Sequence, residues 1–167
     1  SVYDVAGSVG TYNEITGGTV LTGLPAGEDL NEKVFDGTGK PLSGKYTVVG
    51  LPIGFDFKFN NKLMDRFVIA SNGYLMLGED SVSFDNSSAN SFNSMANDGY
   101  QNVVGVIPRG TITMQDNTEI SYLTEGTAPN RTLTVQFKNL GVNSSMWDVI
   151  ITPGQLQIKL HENGNID

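Results

Sequence analysis

The sequence predicts an all-β fold: an antiparallel β-sandwich, jelly-roll-like, of about ten short strands. Three observations carry this. Ser, Thr, Asn and 20 glycines dominate the composition while Lys and Glu are scarce, a mix that suits short strands joined by tight turns and is poor for helices. Apolar residues recur at every second position in several stretches, the signature of a strand buried on one face. No stretch carries a sustained helical period, and turn signals separate the strand signals.

Taken in order, Val9 to Ile15 is a short mixed run, and Thr19 to Thr22 follows a Gly17-Gly18 turn. Asp29 to Thr38 is acidic and Gly-flanked and reads as a loop with one short strand around Val34-Phe35. Tyr46 to Val49 opens the most informative region. There Ile53, Phe55, Phe57 and Phe59 alternate with Gly54, Asp56 and Lys58, which places the aromatic face in the core. Asn60-Asn61 and Ser71-Asn72-Gly73 are turn signals on either side of Arg66 to Ala70, and Tyr74 to Leu77 returns, giving a local antiparallel unit. Glu79 to Gln101 is rich in Asn and Ser and reads as one long loop, with Phe84, Phe92 and Met95 to pin it and room for a short helix. Strands resume at Val103 to Ile107, Thr111 to Met114, Glu119 to Leu123, Thr132 to Lys138, Trp147 to Thr152 and Gln155 to Glu162. In the last, Leu156, Ile158 and Leu160 oppose Gln157, Lys159 and His161.

The length of 167 residues fits one domain, 1–167, expected to be part of, or derived from, a larger secreted protein. A net charge of −8 disfavours nucleic-acid and anionic-membrane partners. No apolar run is long enough for a membrane helix, so no membrane insertion is expected. Without cysteine there is no disulfide framework or thiolate site. Ser1 in place of Met fits a mature end left by signal-peptide removal.

Three segments, in their order and spacing, carry a resemblance: Gly10 to Leu21; Leu51-Pro52-Ile53-Gly54-Phe55-Asp56-Phe57-Lys58-Phe59 followed by Phe67 to Leu75; and Ile120 to Asn139, with its Gly126-Thr127-Ala128-Pro129-Asn130-Arg131 run, followed by Leu156 to Glu162. Together they resemble the N-terminal β-sandwich domain of secreted surface proteins of Bacteroidetes-type bacteria and, more distantly, nidogen-like extracellular modules. The resemblance implies a non-enzymatic module on the cell surface and supplies no catalytic residues. Two departures stand out. Where that pattern has a Trp-Asp-Asp segment this chain reads Val106-Ile107-Pro108-Arg109-Gly110, and the pattern's last strand runs on where this sequence ends at Asp167.

Candidate sites follow from residue chemistry. His161 is the sole histidine and falls on the polar face of its strand, where a solvated ring is expected rather than a triad member or zinc ligand. The carboxylate pairs Asp29/Glu32, Asp56/Asp65 and Glu79/Asp80 could in principle serve glycoside hydrolysis, but nothing sets one acid apart from its partner. Asp80, Asp85 and Asp98, with Asn86 and Asn97, gather oxygen donors of the kind Ca²⁺ takes, the one cofactor left open. Trp147, Tyr100 and Tyr74, with Tyr122, are candidate sugar-stacking rings. Ser81, within Asp80-Ser81-Val82, is a candidate O-glycosylation site. Asn86, Asn130 and Asn143 open sequons that, in the bacterial setting the resemblance implies, are read as chance.

The expected function is therefore a non-enzymatic, secreted surface module for adhesion or structural assembly, as in a filament or surface layer. The alternative is a carbohydrate-binding module. Partners would be other protein subunits or surface glycans, with a homo-oligomer formed through the last strand, Gln155 to Asp167, as one route.

Overall fold

The structure, a computed structural model, describes residues 12–24, 33–71, 73–85, 102–105, 111–144 and 149–167. Among them are eleven strands and no helix: β1 Thr19–Val20, β2 Val34–Phe35, β3 Lys45–Val48, β4 Leu51–Phe59, β5 Lys62–Ala70, β6 Tyr74–Gly78, β7 Val82–Asp85, β8 Val103–Gly105, β9 Thr111–Glu125, β10 Thr132–Ser144 and β11 Val149–His161. Every pairing is antiparallel. One sheet has the order β1-β9-β10-β11; the other is β2-β5-β6-β8, with β4 also on β5. The predicted β-sandwich is what the chain forms.

The main core lies between the sheets. From β4 it takes Leu51, Ile53, Phe55 and Phe57, while Pro52, Gly54, Asp56 and Lys58 face outward. The period of two read from the sequence thus becomes an inner wall. Phe57 is fully buried and stacks on Phe59 with centroids 6.3 Å apart. Opposite stand Ile120, Leu133, Val135, Phe137, Ile158 and Leu160. Across the interface Phe67 of β5 meets Tyr122 of β9 edge to face at 5.5 Å, a favoured geometry for two rings.

The second sheet is buried on both faces. Phe67, Ile69, Leu75 and Leu77 point into the main core; Val68, Ala70, Tyr74 and Met76 point the other way, under a two-stranded ribbon of β3 and β7 that contributes Val82 and Phe84. This explains why Phe67-Val68-Ile69-Ala70 and Tyr74-Leu75-Met76-Leu77 are continuous apolar runs rather than alternating ones.

The ribbon corrects one expectation. Glu79 to Gln101 is not a single loop from its start: Val82–Asp85 is a strand, β7, paired with β3 from Lys45↔Asp85 to Val48↔Val82. Its alternation of Val82 and Phe84 with Ser83 and Asp85 is visible but short. Residues 86–101, and the part of the Val9 to Ile15 run before residue 12, lie outside the described residues; residues 12–15 are in no strand.

Two further pairs of predicted strands merge. Thr111 to Met114 and Glu119 to Leu123 form the single strand β9, because the turn-like Gln115-Asp116-Asn117-Thr118 is absorbed by a bulge. There the Thr118 hydroxyl accepts from the Gln115 N–H (2.7 Å) and donates to the Asn139 carbonyl (2.8 Å). Likewise Val149–His161 is one strand through Pro153-Gly154. Pro153 falls at a register irregularity between Gly154 and Ile151 of a strand at the sheet's end, where a residue without an N–H is accepted.

Candidate functional site

A sandwich can act through its edges, its connecting turns and any recess between them. The edge at β4 is partly covered. Its Ile53 carbonyl accepts from the Thr124 hydroxyl (2.7 Å), and its Gly54 carbonyl from Arg131 Nη1 (3.0 Å). Side chains of the facing sheet thus satisfy an edge that would otherwise expose free acceptors.

Arg131 is the centre of a clasp. It closes the β9–β10 turn, Gly126 to Arg131, which contains a cis Ala128-Pro129 bond and a Gly126 at φ +93°. A Cβ there would lie 2.5 Å from the Asn130 carbonyl oxygen, so glycine is required. The Arg131 guanidinium grips Glu162, just past β11, with Nε on Oε2 (2.9 Å) and Nη2 on Oε1 (2.6 Å), and the Arg131 N–H also donates to Oε2 (2.9 Å). The Glu162 N–H returns a bond to the Arg131 carbonyl (2.9 Å). The guanidinium sits 5.8 Å from the Phe55 ring centroid, within cation–π range. The hydrogen bonds from Arg131 hold the Glu162 carboxyl down at about 2, and the same pairing raises the Arg131 pKa. A bidentate fork of this kind fixes geometry as well as charge. Nothing local in the sequence pairs these two residues, since a contact across 31 residues leaves no period.

His161 is half-buried rather than freely solvated. Nδ1 is 3.0 Å from the Thr132 hydroxyl and Nε2 is 2.8 Å from Asp167 Oδ2. Beside it residues 165–167 fold back along the outer edge of β11: Lys159 and Asp167 exchange two backbone hydrogen bonds (2.8 and 3.0 Å), and the His161 N–H donates to the Asn165 carbonyl (2.9 Å). β11 is the last strand of its sheet, and beyond this short pairing no described strand covers its outer edge.

The opposite, outer face of the same sheet is crossed by residues 12–18. Gln136, 1% exposed, accepts from the Ile15 N–H (3.0 Å) and the Gln157 amide (2.8 Å), while Gln157 also donates to the Asn13 carbonyl (2.6 Å) and Lys138 pairs with Glu14. That hydrogen bond raises the Lys138 pKa. Burial, with Glu14 nearby, raises that of Tyr12. A buried amide with its lone pairs engaged is a stable arrangement.

The predicted site residues are scattered. Tyr74 is 7% exposed and packs in the second core beneath the ribbon. Asp80 is exposed at φ +60°, its N–H bonded to Asp65 Oδ1 (2.7 Å). Ser81 is half-buried in the same turn, and Asp85 ends β7 opposite Lys45. Asp80 and Asp85 therefore flank β7 rather than converge, and among the described residues no group of three or more His, Asp or Glu is placed to hold a metal. Trp147, Tyr100 and Asp98 lie outside the described residues, as do Asp29 and Glu32. Glu79 and Asp80 are consecutive in one exposed turn, and Asp56 lies outward on β4.

Sheets, edges and turns of this kind define a β-sandwich module. A family model described as NIDO related matches residues 2–167, and the chain belongs to that family. NIDO-related domains are typically extracellular, which suggests an extracellular module here too. No curated protein matches the chain. No solved structure matches it.

Proposed function

We propose that the domain is a non-enzymatic module of a bacterial cell surface that serves adhesion or structural assembly, and that it joins a second copy of itself through β11. The observation that carries this is the half-covered edge. The backbone groups of Lys159 and His161 point away from β10, toward residues 165–167. In an antiparallel strand the alternate residues Gln157 and Gln155 present their N–H and C=O in the same direction. Two copies of β11 related by a two-fold axis at Leu156 would pair Gln155 with Gln157 of the other copy, and Gln157 with Gln155, in an isologous contact. Both residues are uncharged, so this stretch lacks the charges that usually keep edges apart. Membership of an extracellular family and the engagement of the sole histidine by Thr132 and Asp167 are consistent with the reading.

Gln155→Pro tests it. The substitution removes an outward N–H that β10 does not use. Sedimentation equilibrium of the unaltered chain should show a monomer–dimer equilibrium that the variant loses while its circular dichroism is unchanged. A chain that stays monomeric at high concentration overturns the contact.

A further inference from the structure

β5 runs on past the end of β6. Arg66 pairs with Gly78, the last residue of β6, so Lys62–Asp65 have no β6 neighbour. The chain then turns sharply. The Ser81 N–H donates to the Glu79 carbonyl (2.6 Å), and Asp65 Oδ1 takes the Asp80 N–H, which pins the turn against β5. Gly78 is obligatory here, because a Cβ would strike the Ser81 carbonyl. The notch left between β5, this turn and Asn102 is a recess of about 190 Å³.

Its floor is Met64 and Leu77, each 2% exposed and part of the main core. Its walls are Lys62, Glu79, Ser81, Ser83 and Asn102. Lys62 and Glu79 form no ion pair with each other or with any other described residue. Ser83 is hydrogen-bonded to Thr47 (2.8 Å), and among the described residues Asn102 Oδ1 takes a long contact from Asn60 (3.5 Å).

We propose that this recess is a binding site for a single neutral sugar ring. Size is the first argument: about 190 Å³ is many times the roughly 10–15 Å³ that one water needs and falls short of the roughly 300–1,000 Å³ of a pocket for a drug-sized ligand, which leaves room for one small ring. Chemistry is the second. The wall holds a cation and an anion, neither of them ion-paired among the described residues, beside hydroxyls and an amide. A simple anion would meet Glu79 and a simple cation Lys62. A hydroxyl both donates and accepts, so a polyol can satisfy Lys62 and Asn102 Nδ2 as donors and Glu79 and the serines as acceptors without carrying net charge. The site needs no stacking ring, which separates it from the aromatic platform expected from Trp147, Tyr100 and Tyr74. It shares no residue with the β11 edge and stands whether or not that edge assembles.

The test is an amide-resolved NMR titration of the full chain with glucose, galactose, mannose and N-acetylglucosamine, up to about 50 mM, where even a millimolar Kd is read. Saturable shifts confined to Lys62, Gly78–Ser83 and Asn102 are expected with at least one sugar. Lys62→Met and Glu79→Gln, both on exposed side chains, should each weaken binding about tenfold and leave the remaining spectrum in place. No shift with any of the four sugars overturns the proposal. So does an equal response to sodium acetate or ammonium chloride, which would make the recess an ion site.

Discussion

Phe57→Ala is the sharpest test of how this chain holds together. Phe57 is fully buried between the sheets, stacked on Phe59 and followed by the exposed Lys58. Truncation removes a whole ring from a packed wall and leaves a cavity, at a cost of about 3–5 kcal/mol. A domain of this kind has about 5–15 kcal/mol in total, so a large fraction of the stability goes. At about 2–4 °C per kcal/mol for this chain length, the melting temperature should fall by about 6–20 °C. Lys58→Ala, one residue along on the other face, should stay within about 0.5 kcal/mol of the unaltered chain. Urea unfolding followed by circular dichroism measures both, with an unchanged denaturant slope as the check that the unfolded states match. If the two variants lose similar amounts, β4 is not an inner wall and the argument from alternation to core is wrong.

Three further outcomes follow from the contacts described. Gly54→Ala should destabilise by at least about 1–2 kcal/mol, because Gly54 sits at φ +93° and a Cβ would lie 2.8 Å from Thr124 Cγ2; a neutral result in urea unfolding would show that β4 can shift. Glu162, held at about 2 against an ordinary 4.5, stays ionised in the folded chain while the unfolded chain takes up a proton. Its contribution is therefore present above about pH 4.5 and lost as the pH falls towards 2, so Glu162→Gln should flatten the acid limb of a stability–pH profile and leave the shape near neutrality unchanged. Gln136→Leu strips the acceptor shared by Ile15 and Gln157, so amide hydrogen exchange at Ile15 should accelerate and stability should fall by about 1–3 kcal/mol; unchanged exchange would mean that residues 12–18 are held elsewhere.

Whatever repeats locally can be read from the order of residues alone. Phe55, Phe57 and Phe59 on β4, Leu133, Val135 and Phe137 on β10, and Leu156, Ile158 and Leu160 on β11 each announce a strand and its buried face, because the pleat turns alternate side chains the same way. Asn60-Asn61 is likewise legible: both residues adopt positive φ, 50° and 60°, as a tight hairpin turn requires. Composition and turn density then fix the all-β class.

The rest emerges when strands pair, because it depends on residues far apart in the chain. That the β5–β6 sheet is covered on both faces, that Val82–Asp85 leaves its apparent loop to form the covering ribbon, and that β9 and β11 run unbroken through turn-like residues are all set by a partner strand. The Arg131–Glu162 clasp, the recess beside Gly78 and the outward edge of β11 exist only once distant segments meet. A strand's pattern states which face it hides; which neighbour it meets, and which edge is left uncovered, is a property of the assembled sheets.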